Sequence, residues 1–171
     1  MKRILLPLLL LCAAATAHAN PAFNGRWRLD IAASSALDGW HKADLVVTVD
    51  GPKVTILHDM LWRTTSRVQS ANTFDTTAPV ELKNFFRIEQ RHMAVYPAKG
   101  AVTKATAAWI DGGRTLRTEA FTPVEVSQGD VLMRLTAEYR LSELSDTLTL
   151  IELHSSRNRP LVYVFRKVTG Q

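Results

Sequence analysis

Glu152 and His154 stand two residues apart in Thr147-Leu148-Thr149-Leu150-Ile151-Glu152-Leu153-His154, a run that mixes apolar and polar residues with a period near two. Successive side chains of a β-strand point to opposite faces, so this spacing sets a carboxyl group beside an imidazole. Two titratable groups on an apolar lining are costly to bury unless they pair or meet a ligand. They are therefore candidates for gripping a polar-headed molecule. Two registers are open. If Leu148 and Leu150 face inward, strict alternation carries Glu152 and His154 inward as well. A bulge near Ile151 would turn Ile151 and Leu153 inward instead and expose the pair. The apolar count does not choose between them, and the exposed arrangement is the favoured expectation.

Other chemistry is thinly represented. Beyond the N-terminal leader the histidines are His41, His58, His92 and His154, and none has the close ligand spacing of a zinc motif. A haem-binding barrel needs one axial histidine, which His58 in a strand or His92 beside Met93 would supply. A lone strand histidine is more often a surface or rim residue, so neither metal nor cofactor is expected. The chain has no Gly-x-Ser-x-Gly elbow, no His-Glu-x-x-His and no phosphate-cradling glycine loop. Ser155 and Ser156 follow His154, but neighbours along a strand face opposite ways. No catalytic residue is assigned.

The elements that must position these residues are strands. Ala43–Val49 and Lys53–His58 flank Asp50-Gly51-Pro52, a hairpin signature. Ala101–Ile110 and Thr115–Phe121 flank Asp111-Gly112-Gly113-Arg114, whose glycines permit the positive φ of a tight turn. Trp62–Val68 alternates uncharged residues with cations and reads as a further strand. Val131, Met133, Leu135, Ala137, Tyr139 and Leu141 share one face of the next, with Arg134, Thr136, Glu138 and Arg140 on the other. Thr147–His154 and Leu161–Lys167 complete the set. Two stretches break the pattern: Ile31–His41 reads as a loop with one helical turn, and Pro79–Gln90 as a short helix with Leu82, Phe85, Phe86 and Glu89 along one side. Short polar connections between successive strands predict an all-β fold, an antiparallel up-and-down barrel of about eight to ten strands with at most one or two short helices.

The first 19 residues read as an export signal. Lys2 and Arg3 precede an apolar run over Ile4–Ala15, and Ala17-His18-Ala19 is a small-x-small cleavage site. The run is too short to span a bilayer, which takes about 20 apolar residues, and no later segment approaches that length. Cys12 is the one cysteine; Leu11 before it is a poor fit to a lipoprotein signal, so lipid anchoring there is not expected. Cleavage after Ala19 leaves 152 of 171 residues, residues 20–171, enough for one domain. A mature protein without cysteine draws its stability from packing alone. Removing Lys2 and Arg3 lowers the formal charge from +5 to +3. The remaining cations are interleaved with Thr, Ser and acids, which argues against nucleic acid as a partner. A periplasmic or secreted location follows from the leader.

Phe23-Asn24-Gly25-Arg26-Trp27-Arg28-Leu29-Asp30 resembles the start of bacterial lipocalin-like domains, and Tyr163-Val164-Phe165-Arg166-Lys167 offers the last-strand arginine of that group. The resemblance implies a calycin-type barrel closed at one pole by Gly25, Trp27 and Arg166, the guanidinium lying against the indole. It also implies a small hydrophobic or amphipathic ligand inside. Alternation nominates Trp62, Trp109, Met133, Leu135, Tyr139, Leu150, Glu152 and His154 as candidate lining, with Leu148 and Val68 nearby. For any one apolar member, plain core is the commoner role.

Three functions follow from different classes. A periplasmic barrel that binds a small amphipathic molecule leads. A filled barrel that meets another envelope protein comes next, with Phe85-Phe86 between Lys83 and Arg87 as the most partner-like segment unless the two rings plug one barrel end. A barrel enzyme comes last.

Overall fold

Alternating side chains build a single antiparallel sheet that curls on itself. The computed structural model describes residues 19–35, 40–62, 65–83, 85, 96–98, 100–126 and 129–169. Its strands are β1 (Gly25–Leu29), β2 (Trp40–Asp50), β3 (Lys53–Trp62), β4 (Ser66–Asp75), β5 (Val80–Leu82), β6 (Tyr96–Pro97), β7 (Thr103–Ile110), β8 (Thr115–Val126), β9 (Gly129–Leu141), β10 (Thr147–His154) and β11 (Leu161–Lys167). Ten of them run in the order β4-β3-β2-β1-β11-β10-β9-β8-β7-β5, each antiparallel to its neighbours, and β6 pairs with β8 outside that path. The first and last strands pair at its middle, and β4 at one end approaches β5 and β7 at the other. The result is a nearly closed up-and-down barrel whose helical content, among the described residues, is three 3-10 turns. None of the described helices is long and apolar enough to cross a membrane.

One pole is sealed by side chains. Pro21–Phe23 forms a 3-10 turn capped by the Asn20 side chain, which accepts from the Ala22 amide at 3.0 Å. That turn tucks Phe23 into the barrel, where its ring meets Trp109 edge-on at 4.9 Å and 72°. Trp27, fully buried, donates from Nε1 to the Phe23 carbonyl at 2.8 Å. Each large side chain so buried contributes roughly 2–3 kcal/mol.

The cation against Trp27 is not the expected one. Lys167, not Arg166, lies over the indole, its Nζ 5.0 Å from the ring centroid and donating to the Ala22 carbonyl at 2.8 Å. Parity explains the exchange: Phe165 is fully buried, so Arg166 must face outward and Lys167 inward. Outside, Arg166 donates to Thr147 Oγ1 at 2.8 Å and sits 3.5 Å from the Asp30 carboxylate. Gly25 has φ +126°, a conformation that favours glycine, and a Cβ there would stand 3.5 Å from Lys167 Cε.

Other expectations need adjusting. Trp62 ends β3 and Ser66 opens β4, so Trp62–Val68 straddles a turn and is not one strand. Val80–Leu82 pairs with β7 as a short strand, in place of the first turn of the helix expected over Pro79–Gln90. Phe85 belongs to no regular element, and residues 84 and 86–95 lie outside the described set, Phe86 and His92 with them. Ile31–Ala33 is the single helical turn expected there, although Trp40 and His41 already belong to β2. Val131 is 47 % exposed near the start of β9 and does not join the buried face of Met133 to Leu141. The leader, apart from Ala19, also falls outside the described residues, as does Cys12.

Candidate functional site

Strand β10 keeps strict alternation to its last residue. It pairs without a break on both sides: Leu150 opposes Tyr139, Glu152 opposes Ala137 and His154 opposes Leu135 on β9, while Glu152 opposes Leu161 on β11. Two continuous ladders leave no room for a bulge at Ile151. The favoured sequence expectation is therefore overturned. Glu152 and His154 are buried, while Leu153 faces out and is 44 % exposed. Glu152 Oε1 lies 3.2 Å from His154 Nε2. Glu152 Oε2 and both ring nitrogens of His154 are buried without a hydrogen-bond partner among the described residues.

The Glu152 side chain lines a cavity at the centre of the barrel. Around it stand His58 on β3, Asn72 and Phe74 on β4, Thr118 on β8, Tyr139 on β9 and Phe85, with Leu135, Leu150 and two alanines as the other described lining residues. The space open to the centre of a water molecule is about 20 Å3, room for about one water. Phe85 is the one described lining residue that does not come from a strand.

The electrostatics of this cavity are lopsided. Burial drives the His58 imidazole down to about 4, against the pull of the nearby Glu152 charge, so it is neutral at pH 7. Burial, and then the Glu152 charge, push the Tyr139 hydroxyl well above the ordinary phenol range. Among the described lining residues there is no lysine or arginine, and Glu152 is the one acid.

The remaining nominated residues divide cleanly. Leu135, Tyr139, Leu150 and Glu152 line the cavity, and His154 backs Glu152. Trp109 belongs to the sealed pole, and its Nε1 has no partner among the described residues. Met133 is buried near the other end, where Ser156 Oγ lies 3.5 Å from its sulfur. Trp62 ends β3, and its side chain lies outside the described residues. Sequence reasoning missed Asn72, Phe74 and Thr118, and weighed His58 only as a haem ligand. For His58 a signal existed, since Val54, Ile56 and His58 share parity in β3. Among the described residues, no group of three or more His, Cys, Asp or Glu is placed to hold a metal ion.

A second buried charge cluster occupies the outer face of β1–β4. Asp44 on β2 and Asp59 on β3 are direct cross-strand partners, and both are buried. Arg26 Nη1 bridges them at 2.9 and 3.0 Å. Arg28 and Lys42 reach Asp44 at 3.2 and 3.4 Å, while Arg67 and Gln69 donate to Asp59 at 2.7 and 3.2 Å. Burial pushes the Asp44 carboxyl up, but hydrogen bonds from Arg28 and Arg26 outweigh it and hold it below the usual range. The Arg67 hydrogen bond, assisted by Arg26 and Gln69, holds Asp59 well below that range despite burial.

No family model matches this chain, and no curated protein matches it. Among solved structures it is similar to secretory abundant heat soluble protein 4 from Ramazzottius varieornatus, at 10% identity and a TM-score of 0.49. That match covers 88% of this chain and 98% of the other. A likeness at this level carries no argument about function.

Proposed function

We propose that the chain is an exported, lipocalin-like barrel that holds a small amphipathic molecule, its polar end against Glu152 at the centre of the barrel. The observation that carries this reading is a buried carboxyl group, one oxygen of it without a partner among the described residues, on the wall of an interior cavity. A packed domain with no use for that group gains nothing from keeping it, because an apolar residue of similar size would remove a desolvation cost of a few kcal/mol. The cavity as it stands takes about one water, so a larger ligand displaces Phe85. The leader over residues 1–19 supports a periplasmic or secreted location.

Native mass spectrometry of protein purified gently from the bacterial envelope tests the reading, followed by denaturation and identification of what is released. A stoichiometric small amphiphile is the expected result. A bare mass that stays bare after incubation with an amphiphile panel, for both the natural protein and Phe85→Ala, overturns it.

The small cavity volume favours a second reading, a filled barrel that docks another envelope protein. Leu132 on β9 and Phe121 on β8, 65 % and 39 % exposed on the outer face, would then be part of the contact surface. Crosslinking from those positions in intact cells, with no co-purifying small molecule, is the outcome that selects it.

A further inference from the structure

The wall of the central cavity combines one acid with three aromatic side chains. Phe74 comes from β4, Tyr139 from β9 and Phe85 from the segment after β5, so three separate elements bring aromatic side chains to the cavity that Glu152 also lines. An aromatic face carries negative electrostatic potential and attracts a cation, more strongly where water is excluded. Asn72 and His58 also stand on the wall, and cationic side chains are missing from its described residues. His154 stands behind Glu152, 3.2 Å from Oε1, and is not part of the wall. An anionic head such as a carboxylate would face Glu152 with no cation among the described wall residues to receive it. A neutral hydroxyl would leave the aromatic faces unused.

We infer that the head group this barrel selects is a protonated primary amine, seated between the Glu152 carboxylate and the rings of Phe74 and Tyr139. The inference rests on the binding-barrel reading above and narrows its ligand to one charge class. The fit extends to size, because an ammonium group is about as large as the single water the cavity admits.

The test uses three probes with one tail: hexylamine, hexanol and hexanoate, titrated into the protein at pH 7 by calorimetry. Hexylamine is expected to bind at least about tenfold more tightly than either of the others. In Glu152→Gln the amine should lose that advantage and come within about threefold of the alcohol. Equal or better binding of hexanol or hexanoate by the natural protein overturns the amine inference while leaving a binding barrel in place. If none of the three binds to the natural protein or to Phe85→Ala, the barrel reading itself falls. The comparison among probes on the natural protein needs no variant, so a poorly folded Glu152→Gln would not shield the inference.

Discussion

Two pairs of buried titratable groups sit on opposite faces of the same sheet, and they are treated very differently. On the outer face Asp44 and Asp59 stand directly opposite each other, yet Arg26, Arg28, Lys42, Arg67 and Gln69 surround them. On the inner face Glu152 has one imidazole at 3.2 Å and an oxygen with no hydrogen bond among the described residues. The outer pair has the character of architecture. Its carboxyls are held ionised, and its guanidiniums span four neighbouring strands. The inner pair has the character of a site, because it keeps unused capacity beside a cavity. Burial alone does not separate structure from function; the completeness of the partner set does.

The largest expected effect comes from breaking the outer set. Arg26→Ala removes the donor that, among the described residues, both aspartates share and leaves two buried carboxylates short of a partner. Such a loss costs about 2–4 kcal/mol, read as a lower urea midpoint with an unchanged slope. If the midpoint hardly moves, the outer cluster is ornamental and the contrast fails.

A second effect, of similar size, is set by pH. The His58 imidazole titrates at about 4 in the fold against 6.5 in the unfolded chain. Between those values the unfolded chain binds the extra proton, so stability rises with pH across this window and is lost as pH falls from 6.5 to 4. The full drop is about 3 kcal/mol. The aspartates act on a lower range. Their folded values lie below 3.8, so their contribution is intact above the ordinary aspartate range and disappears only as pH falls beneath it. His58→Asn should flatten the curve between pH 6.5 and 4 and leave the steeper loss below. An unchanged curve in the upper window would place its titration elsewhere.

How much of this was legible before the fold was known follows from parity. Period-two alternation suffices for β9 from Met133 to Leu141 and for β11 from Leu161 to Phe165, whose inward faces are apolar throughout, and glycine marks both hairpins. It fails where a face changes character. Asn72 and Thr118 are polar residues on an inner face, and alternation by itself reads them as outward. The register of β10 is settled by its two neighbours, information a single strand does not contain. The exchange of Lys167 for Arg166 was within reach, since counting from the apolar Phe165 sends Lys167 inward. It yields a graded prediction. Lys167→Met loses a cation over Trp27 and a hydrogen bond to Ala22, about 1 kcal/mol with a shift in indole emission. Arg166→Ala, on the exposed face, should cost under about 0.5 kcal/mol and leave the emission alone. Equal effects would return Arg166 to the pole that its sequence position first suggested.

A small expected effect is the most telling. Glu152→Gln keeps the shape of the side chain and replaces a carboxyl group of which one oxygen has no hydrogen-bond partner among the described residues. If the inner pair exists for a ligand, its absence should not harm the empty protein: stability stays within about 1 kcal/mol of the natural chain, or rises. The same change applied outside, Asp59→Asn, should be plainly destabilising, because the Arg67 and Arg26 hydrogen bonds that hold Asp59 ionised lose their charge. Paired urea curves of the two variants compare one lost carboxylate with another on the same sheet. A Glu152→Gln protein as damaged as Asp59→Asn would make the inner pair a structural element like the outer one, and the case for a central binding site would lose its physical basis.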